Sequence, residues 1–229
     1  MTTTANSMDD PRLPGLHKLV FEQTAMRYSL LIPQGYDGET RTPMVLALHY
    51  GGVVTPFYGA PLLEQLIGPA LSDTGAIIVA PDNDGTGWDN VASETRVMAL
   101  LAHLFAQYPI DRKRLIVTGY SLGGIGSWYY AARHPTLFSA AIPISGRAPT
   151  DLSDIDWRMP LYVIHGDKDD VFPVDQTRQD VADLEERGET VKLTIVEGAL
   201  HYDVTVFREA LQSTIPWIED LWSGSVSSD

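Results

Sequence analysis

One pentapeptide, Gly119-Tyr120-Ser121-Leu122-Gly123, constrains this chain more than any other stretch. The run before it, Arg114 to Thr118, is rich in β-branched and apolar residues, the composition of a buried strand. The run after it, Ile125 to Arg133, reads as a helix. The serine therefore sits at a sharp strand-to-helix turn, with a glycine two residues away on either side. Such a turn needs those glycines, because a Cβ at either place would strike the neighbouring strand or helix. It also holds the serine hydroxyl exposed at the top of a sheet. The start of the following helix sets backbone N–H groups and a partial positive charge beside it. That is a setting for a nucleophile and for the oxyanion it generates.

The chain has 229 residues and is 44% hydrophobic, enough for a sizeable core in one domain or at most two small ones. The boundaries read as a flexible N-terminus over 1–14, one α/β domain over 15–222 and a flexible tail over 223–229. With 16 Lys and Arg against 30 Asp and Glu, the net charge is −14. An acidic chain repels phosphate backbones and anionic lipid, so neither nucleic acid nor a membrane surface is expected as a partner. Cysteine is absent, which excludes disulfides, thiolate metal sites and a cysteine nucleophile. Met1 to Pro14 has neither a basic segment nor an apolar one, so it does not read as a secretory signal. No stretch approaches the ~18 apolar residues of a membrane span. A cytoplasmic protein is the default expectation, and a secreted form with its signal removed fits the same sequence. The oligomeric state has no signal in the sequence.

In chain order, Lys18 to Glu22 and Met26 to Ile32 read as a hairpin at a sheet edge. Met44 to Tyr50 and Ala76 to Ala80 are continuous apolar runs, the mark of strands buried on both faces. Between them Pro61 to Leu71 has helical spacing, and Val91 to Tyr108 reads as a long amphipathic helix capped by Asn90. Further strands are expected at Ala140 to Ile144, Leu161 to Ile164 and Val191 to Val196, with a helix over Val174 to Arg187. A final helix spans Val204 to Trp222, kinked or divided at Pro216. Strands alternating with helices predict a doubly wound, mostly parallel α/β sheet, whose functional loops lie at the carboxyl ends of the strands.

A serine hydroxyl needs a base, and the base needs an orienting acid. Three histidines follow Ser121. His134 lies more than two turns along the helix after the serine, and His165 is placed to bond locally at a strand end. His201, in a glycine-containing loop after the last strand, is the candidate base. The loop His165 to Pro173 offers Asp167, Asp169 and Asp170. Asp167 is expected to hold backbone N–H groups of the loop. Asp169 is preferred as the acid over Asp170, although position alone does not separate them.

These segments resemble an α/β-hydrolase, similar to the phospholipase/carboxylesterase group that includes acyl-protein thioesterases, and to the dienelactone hydrolases. The likeness rests on Leu48-His49-Tyr50-Gly51-Gly52, Gly119 to Gly124, His165-Gly166-Asp167-Lys168-Asp169 with Pro173, and Gly198 to His201. It spans about Val45 to Trp222. It implies a catalytic triad of Ser121, His201 and Asp169, the last being the second aspartate of the group's His-Gly-Asp-x-Asp pattern. It implies oxyanion donors in the backbone N–H groups of Leu122 and of Gly51 or Gly52, with Gly51 favoured by register. The group usually reads His-Gly-x-Gly where this chain has Tyr50 in place of the first glycine, and His49 reads as a buried anchor of that loop.

Trp88, Tyr120, Phe57, Tyr58 and Tyr50, with Gly52, are candidates for a substrate pocket, and Asn90 and Asp89 for polar contacts beside it. No metal-ligand spacing appears, and the chemistry calls for no cofactor. The expected function is hydrolysis of short-acyl or accessible esters. Thioester, peptide, lactone or polyester hydrolysis would use the same triad, and an inert binding protein would use none of it. Only the segment 147–160 separates the strands ending near Gly146 and Ile164, so no sizeable lid domain is expected and the site should be open.

Overall fold

The computed structural model describes residues 10–152 and 155–224, so most of the expected flexible ends lies outside the described residues. Eight strands occur among them: β1 Gly15–Phe21, β2 Met26–Ile32, β3 Thr42–Leu48, β4 Ile77–Pro81, β5 Ile110–Tyr120, β6 Ala140–Ile144, β7 Leu161–Gly166 and β8 Val191–Val196. They pair in the order β1-β2-β4-β3-β5-β6-β7-β8. β2 runs antiparallel to both its neighbours, and every other adjacent pair is parallel.

The helices are α1 Ala60–Leu62, α2 Gly68–Leu71, α3 Val91–Gln107, α4 Leu122–Arg133, α5 Val174–Glu186, α6 Arg208–Gln212 and α7 Ile215–Ser223. A π-helical turn over Leu63–Ile67 joins α1 to α2. Successive side chains of a strand point to opposite faces, and β3 shows the consequence. Met44, Leu46 and Leu48 enter one core layer with Val97 and Leu104 of α3, Trp128 of α4 and Leu184 of α5. Val45 and Ala47 enter the other, with Leu62, Leu66, Leu211 of α6 and Ile218 of α7. All seven residues of β3 are buried, which is why it reads as an unbroken apolar run.

Three elements differ most from the sequence reading. β5 begins at Ile110 rather than near Arg114, and α4 begins directly after Ser121 rather than at Ile125. Gly123 and Gly124 are helical despite their low propensity, because the helix start must approach β3 and β6 backbone to backbone. The last helix is divided. A 3-10 turn over Val204–Phe207 leads into α6, the chain breaks at Ser213 and Thr214, and α7 carries Pro216 in its first turn. Proline has no N–H to continue the preceding helix, and the first turn is where that donor is not needed.

The sheet order places the site. β3 and β5 are neighbours, yet the chain leaves β3 toward β4 on one side and β5 toward β6 on the other. The loops after these two strands diverge and leave a crevice at their carboxyl ends. The β6–β7 connection carries no helix among its described residues. Trp157 on it packs edge-on against Trp128 of α4, centroids 5.6 Å apart, and Arg187 donates to the carbonyls of Leu152 and Ile155. Its described residues are thus fastened to the body of the protein.

Candidate active site

Ser121 stands immediately after β5 with φ +57° and ψ −115°, a conformation that costs a non-glycine residue about 1–3 kcal/mol. Its neighbours hold it there. Its N–H donates to the carbonyl of Ile144 at 2.9 Å, and its own carbonyl accepts from Ile125 at 3.0 Å. Glycine is required on both sides. A Cβ at Gly119 would lie 2.5 Å from the carbonyl oxygen of Gly123 and 2.6 Å from that of Leu48, and one at Gly123 would overlap the Leu48 carbonyl.

The Ser121 hydroxyl oxygen lies 2.8 Å from Nε2 of His201. Nδ1 of His201 lies 2.8 Å from Oδ2 of Asp169. A carboxylate oxygen accepts, which assigns the imidazole proton to Nδ1 and leaves Nε2 to accept from the serine. The other carboxylate oxygen, Oδ1, accepts from the N–H groups of Val171 at 2.9 Å and Phe172 at 2.7 Å. Asp169 and His201 are buried, whereas Asp170 points to solvent.

The other acidic and basic candidates have structural partners. Asp167 accepts from the N–H of Gly198 at 2.6 Å, and Lys168 N–H donates to the carbonyl of Ala199. The acid loop is thus tied to the neighbouring histidine loop, rather than Asp167 binding only within its own. His134 meets Glu94, with Nε2 2.9 Å from Oε1. His165 is fully buried, 2.8 Å from the carbonyl of Phe172 and 3.1 Å from Oγ1 of Thr177. His49 is also fully buried, with Nδ1 2.7 Å from the carbonyl of its neighbour Tyr50. Asn90 caps α3, its side chain accepting from Ser93 N–H at 2.9 Å, and Asp89 faces Arg147.

A cleft of about 430 Å³ opens over Ser121 and His201, lined by Tyr50, Gly51, Tyr120, Val171, Tyr202 and Val204. Gly51 lies beside Leu122, so that a Cβ on it would be 3.8 Å from that of Leu122. Burial holds the Tyr120 phenol above its ordinary pKa range, so it stays neutral. Four of the expected pocket residues are elsewhere. Trp88 is wholly buried and donates its indole N–H to the carbonyl of His49 at 2.9 Å. The Phe57 N–H donates to Asp82 at 2.6 Å, and its ring lies under Lys18 rather than in the cleft. Gly52 faces the Tyr58 hydroxyl, and the Tyr58 ring packs edge-on against His49 rather than lining the cleft. Val171, Tyr202 and Val204 were missed, although each lies within three residues of Asp169 or His201. Among the described residues there is no group of three or more His, Asp or Glu placed to hold a metal ion, and no helix long and apolar enough to cross a membrane.

The model of the dienelactone hydrolase family matches residues 86–202, a span that includes Ser121, Asp169 and His201. The chain belongs to the dienelactone hydrolase family. Curated relatives include feruloyl esterase C of Emericella nidulans, 28% identical over 183 residues, covering 75% of this chain and 65% of that protein. The probable feruloyl esterase C of Aspergillus terreus is 28% identical over 178 residues, covering 76% of this chain and 66% of that protein. The chain thus spans about two thirds of the length of these relatives. A solved structure described as a ferulic acid esterase superposes with a TM-score of 0.70 at 18% identity, over 90% of this chain and 97% of that one. A thermostable esterase gives a TM-score of 0.71 at 24% identity, over 90% of this chain and 62% of that one. At these identities the likeness is one of fold, that of an α/β-hydrolase.

Proposed function

We propose that this member of the dienelactone hydrolase family is a serine esterase acting on accessible esters of short or aromatic acids. The observation that carries the reading is the continuous line from Ser121 through His201 to Asp169, with 2.8 Å at each junction. As the Ser121 hydroxyl attacks the acyl carbonyl, His201 takes its proton on Nε2. Asp169 stabilises the imidazolium from the Nδ1 side. The backbone N–H groups of Leu122 and Gly51 receive the oxyanion. His201 then gives its proton to the departing alkoxide, leaving an acyl-serine and the free alcohol. Water repeats the sequence, releasing the acid and restoring the serine. Every proton in this cycle is held by a group of the chain, so the reading needs no cofactor.

The lining of the cleft supports the substrate class. Tyr50 and Tyr202 present aromatic surface, Val171 and Val204 add apolar surface, and no described residue of the β6–β7 connection lines the opening. Such a cleft suits a flat acyl group, including one carried on a larger alcohol. The feruloyl esterases among the relatives support the aromatic preference.

The test is a series of p-nitrophenyl esters from acetate to palmitate beside methyl esters of hydroxycinnamic acids, on wild type and Ser121→Ala. Short and aromatic esters turned over by the wild type alone are the expected result. Wild-type turnover retained by Ser121→Ala would overturn the mechanism, and preference for palmitate would overturn the substrate class.

A further inference from the structure

We infer that His49 is a positioning residue that fixes which way the oxyanion-hole peptide faces, an inference that rests on the serine-esterase reading above. The peptide in question joins Tyr50 to Gly51. In a trans peptide the carbonyl of one residue and the N–H of the next point in opposite directions. The described residues contain no cis peptide bond. Whatever holds the Tyr50 carbonyl therefore aims the Gly51 N–H the other way.

His49 holds that carbonyl. Its Nδ1 lies 2.7 Å from the Tyr50 oxygen, while Nε2 accepts from the backbone N–H of Asn83 at 3.0 Å. The second bond decides the first. A nitrogen that accepts carries a lone pair, so the single proton of the neutral ring is on Nδ1 and donates to the carbonyl. The opposite tautomer would set a lone pair against the carbonyl oxygen and one N–H against another.

The ring has no freedom to turn. It is fully buried, with Tyr58 edge-on at 4.9 Å and Trp88 edge-on at 4.9 Å. The Trp88 indole N–H also donates to the backbone carbonyl of His49. The Tyr58 hydroxyl reaches the carbonyl of Gly51 at 3.3 Å, so the peptides on both sides of Gly51 are held. Burial pushes the His49 imidazole down to about 4, which keeps it neutral and keeps Nε2 an acceptor.

A lock is needed here because sterics do not supply one. Turning over the Tyr50–Gly51 peptide changes ψ of Tyr50 and φ of Gly51, and glycine tolerates φ of either sign. A hydrogen bond, rather than a Cβ clash, must choose the orientation. Trp88 and Asn83, both on the loop after β4, thereby act on the cleft without lining it.

The experiment has two arms. In the wild type, long-range proton–nitrogen NMR of the six histidines is expected to show His49 as the Nδ1–H tautomer. Finding the Nε2–H form would overturn the inference, and this arm needs no variant to fold. In the second arm, His49→Leu is expected to lose about 10²–10³-fold in kcat, the effect of one oxyanion donor. Its KM should stay within about threefold. Its affinity for an arylboronic acid, which forms a tetrahedral anion on Ser121, should fall with kcat. His49→Asn keeps a side-chain donor near the Nδ1 position and should recover most of the loss. A folded His49→Leu that turns over substrate and binds the boronate like wild type would overturn the inference. It would leave the esterase reading intact, which stands or falls with Ser121→Ala.

Discussion

Nε2 of His165 lies 3.4 Å from Oδ2 of Asp169, and neither side chain is exposed to solvent. The same nitrogen is 2.8 Å from the carbonyl of Phe172, which can only accept, so it carries the proton and Nδ1 accepts from the Thr177 hydroxyl. Burial lowers the pKa of this imidazole and keeps it neutral. One ring therefore links the end of β7, the acid loop and α5. His165→Leu leaves the Phe172 carbonyl without that donor and is expected to cost about 1–3 kcal/mol. Turnover should fall about tenfold or more as Asp169 loses its place. Urea unfolding and kcat on the same preparation check both numbers.

Gly123→Ala is expected to be the most damaging single change at the turn. Its Cβ would overlap the backbone carbonyl of Leu48, which belongs to a fully buried strand and has nowhere to move. A loss of at least about 3 kcal/mol is expected. Thermal unfolding decides it, and a variant as stable as wild type would show that the helix start can shift.

The low pKa of His49 links stability to pH. Its folded value of about 4 lies below the ordinary 6.5, so between these two the unfolded chain binds the proton and the folded one does not. Stability from this group is complete above about pH 6.5 and falls as pH drops toward 4. The total is about 3 kcal/mol for a shift of this size. The check is the difference in unfolding free energy between wild type and His49→Asn from pH 7 to 4, which should narrow as pH falls.

Asp167 ties two loops across 31 residues of sequence. Asp167→Ala frees the Gly198 N–H and is expected to cost about 1 kcal/mol, while Asp167→Asn keeps an acceptor and loses less. Because the loop it releases carries His201, kcat should fall more than stability. Parallel kinetics and urea titrations test the ratio.

Tyr202 is 78% exposed, with its ring edge-on to His201 at 5.2 Å. Tyr202→Ala should leave stability within about 0.5 kcal/mol. It should raise KM for hydroxycinnamoyl esters several-fold and leave acetate esters little changed. Equal effects on both substrates would place Tyr202 outside acyl selection.

Much of the fold was legible because its cause is local. The apolar runs at β3 and β4 can only be strands covered on both faces, and Gly119 and Gly123 mark a turn that tolerates no Cβ. The Asn90 cap was legible for the same reason, since its bond spans three residues. The aromatic lining was not. Trp88 and Tyr202 both sit on loops at strand ends, but one is fully buried and the other 78% exposed. That difference depends on what packs against each loop.

By itself the sequence determined the alternation of strands and helices, the strand-to-helix turn at Ser121, and the order in which serine, aspartate and histidine follow one another. Those follow from spacing over a few residues, where backbone geometry leaves few choices. Only the tertiary structure decided that Asp169 rather than Asp170 meets His201, 32 residues away, and that His201 in turn meets Ser121 across 80. It also decided the protonated nitrogen of each buried histidine, because a tautomer is set by the partner on the far side of the ring. For His49 that partner is a backbone N–H 34 residues along the chain, brought there by the pairing of β3 with β4.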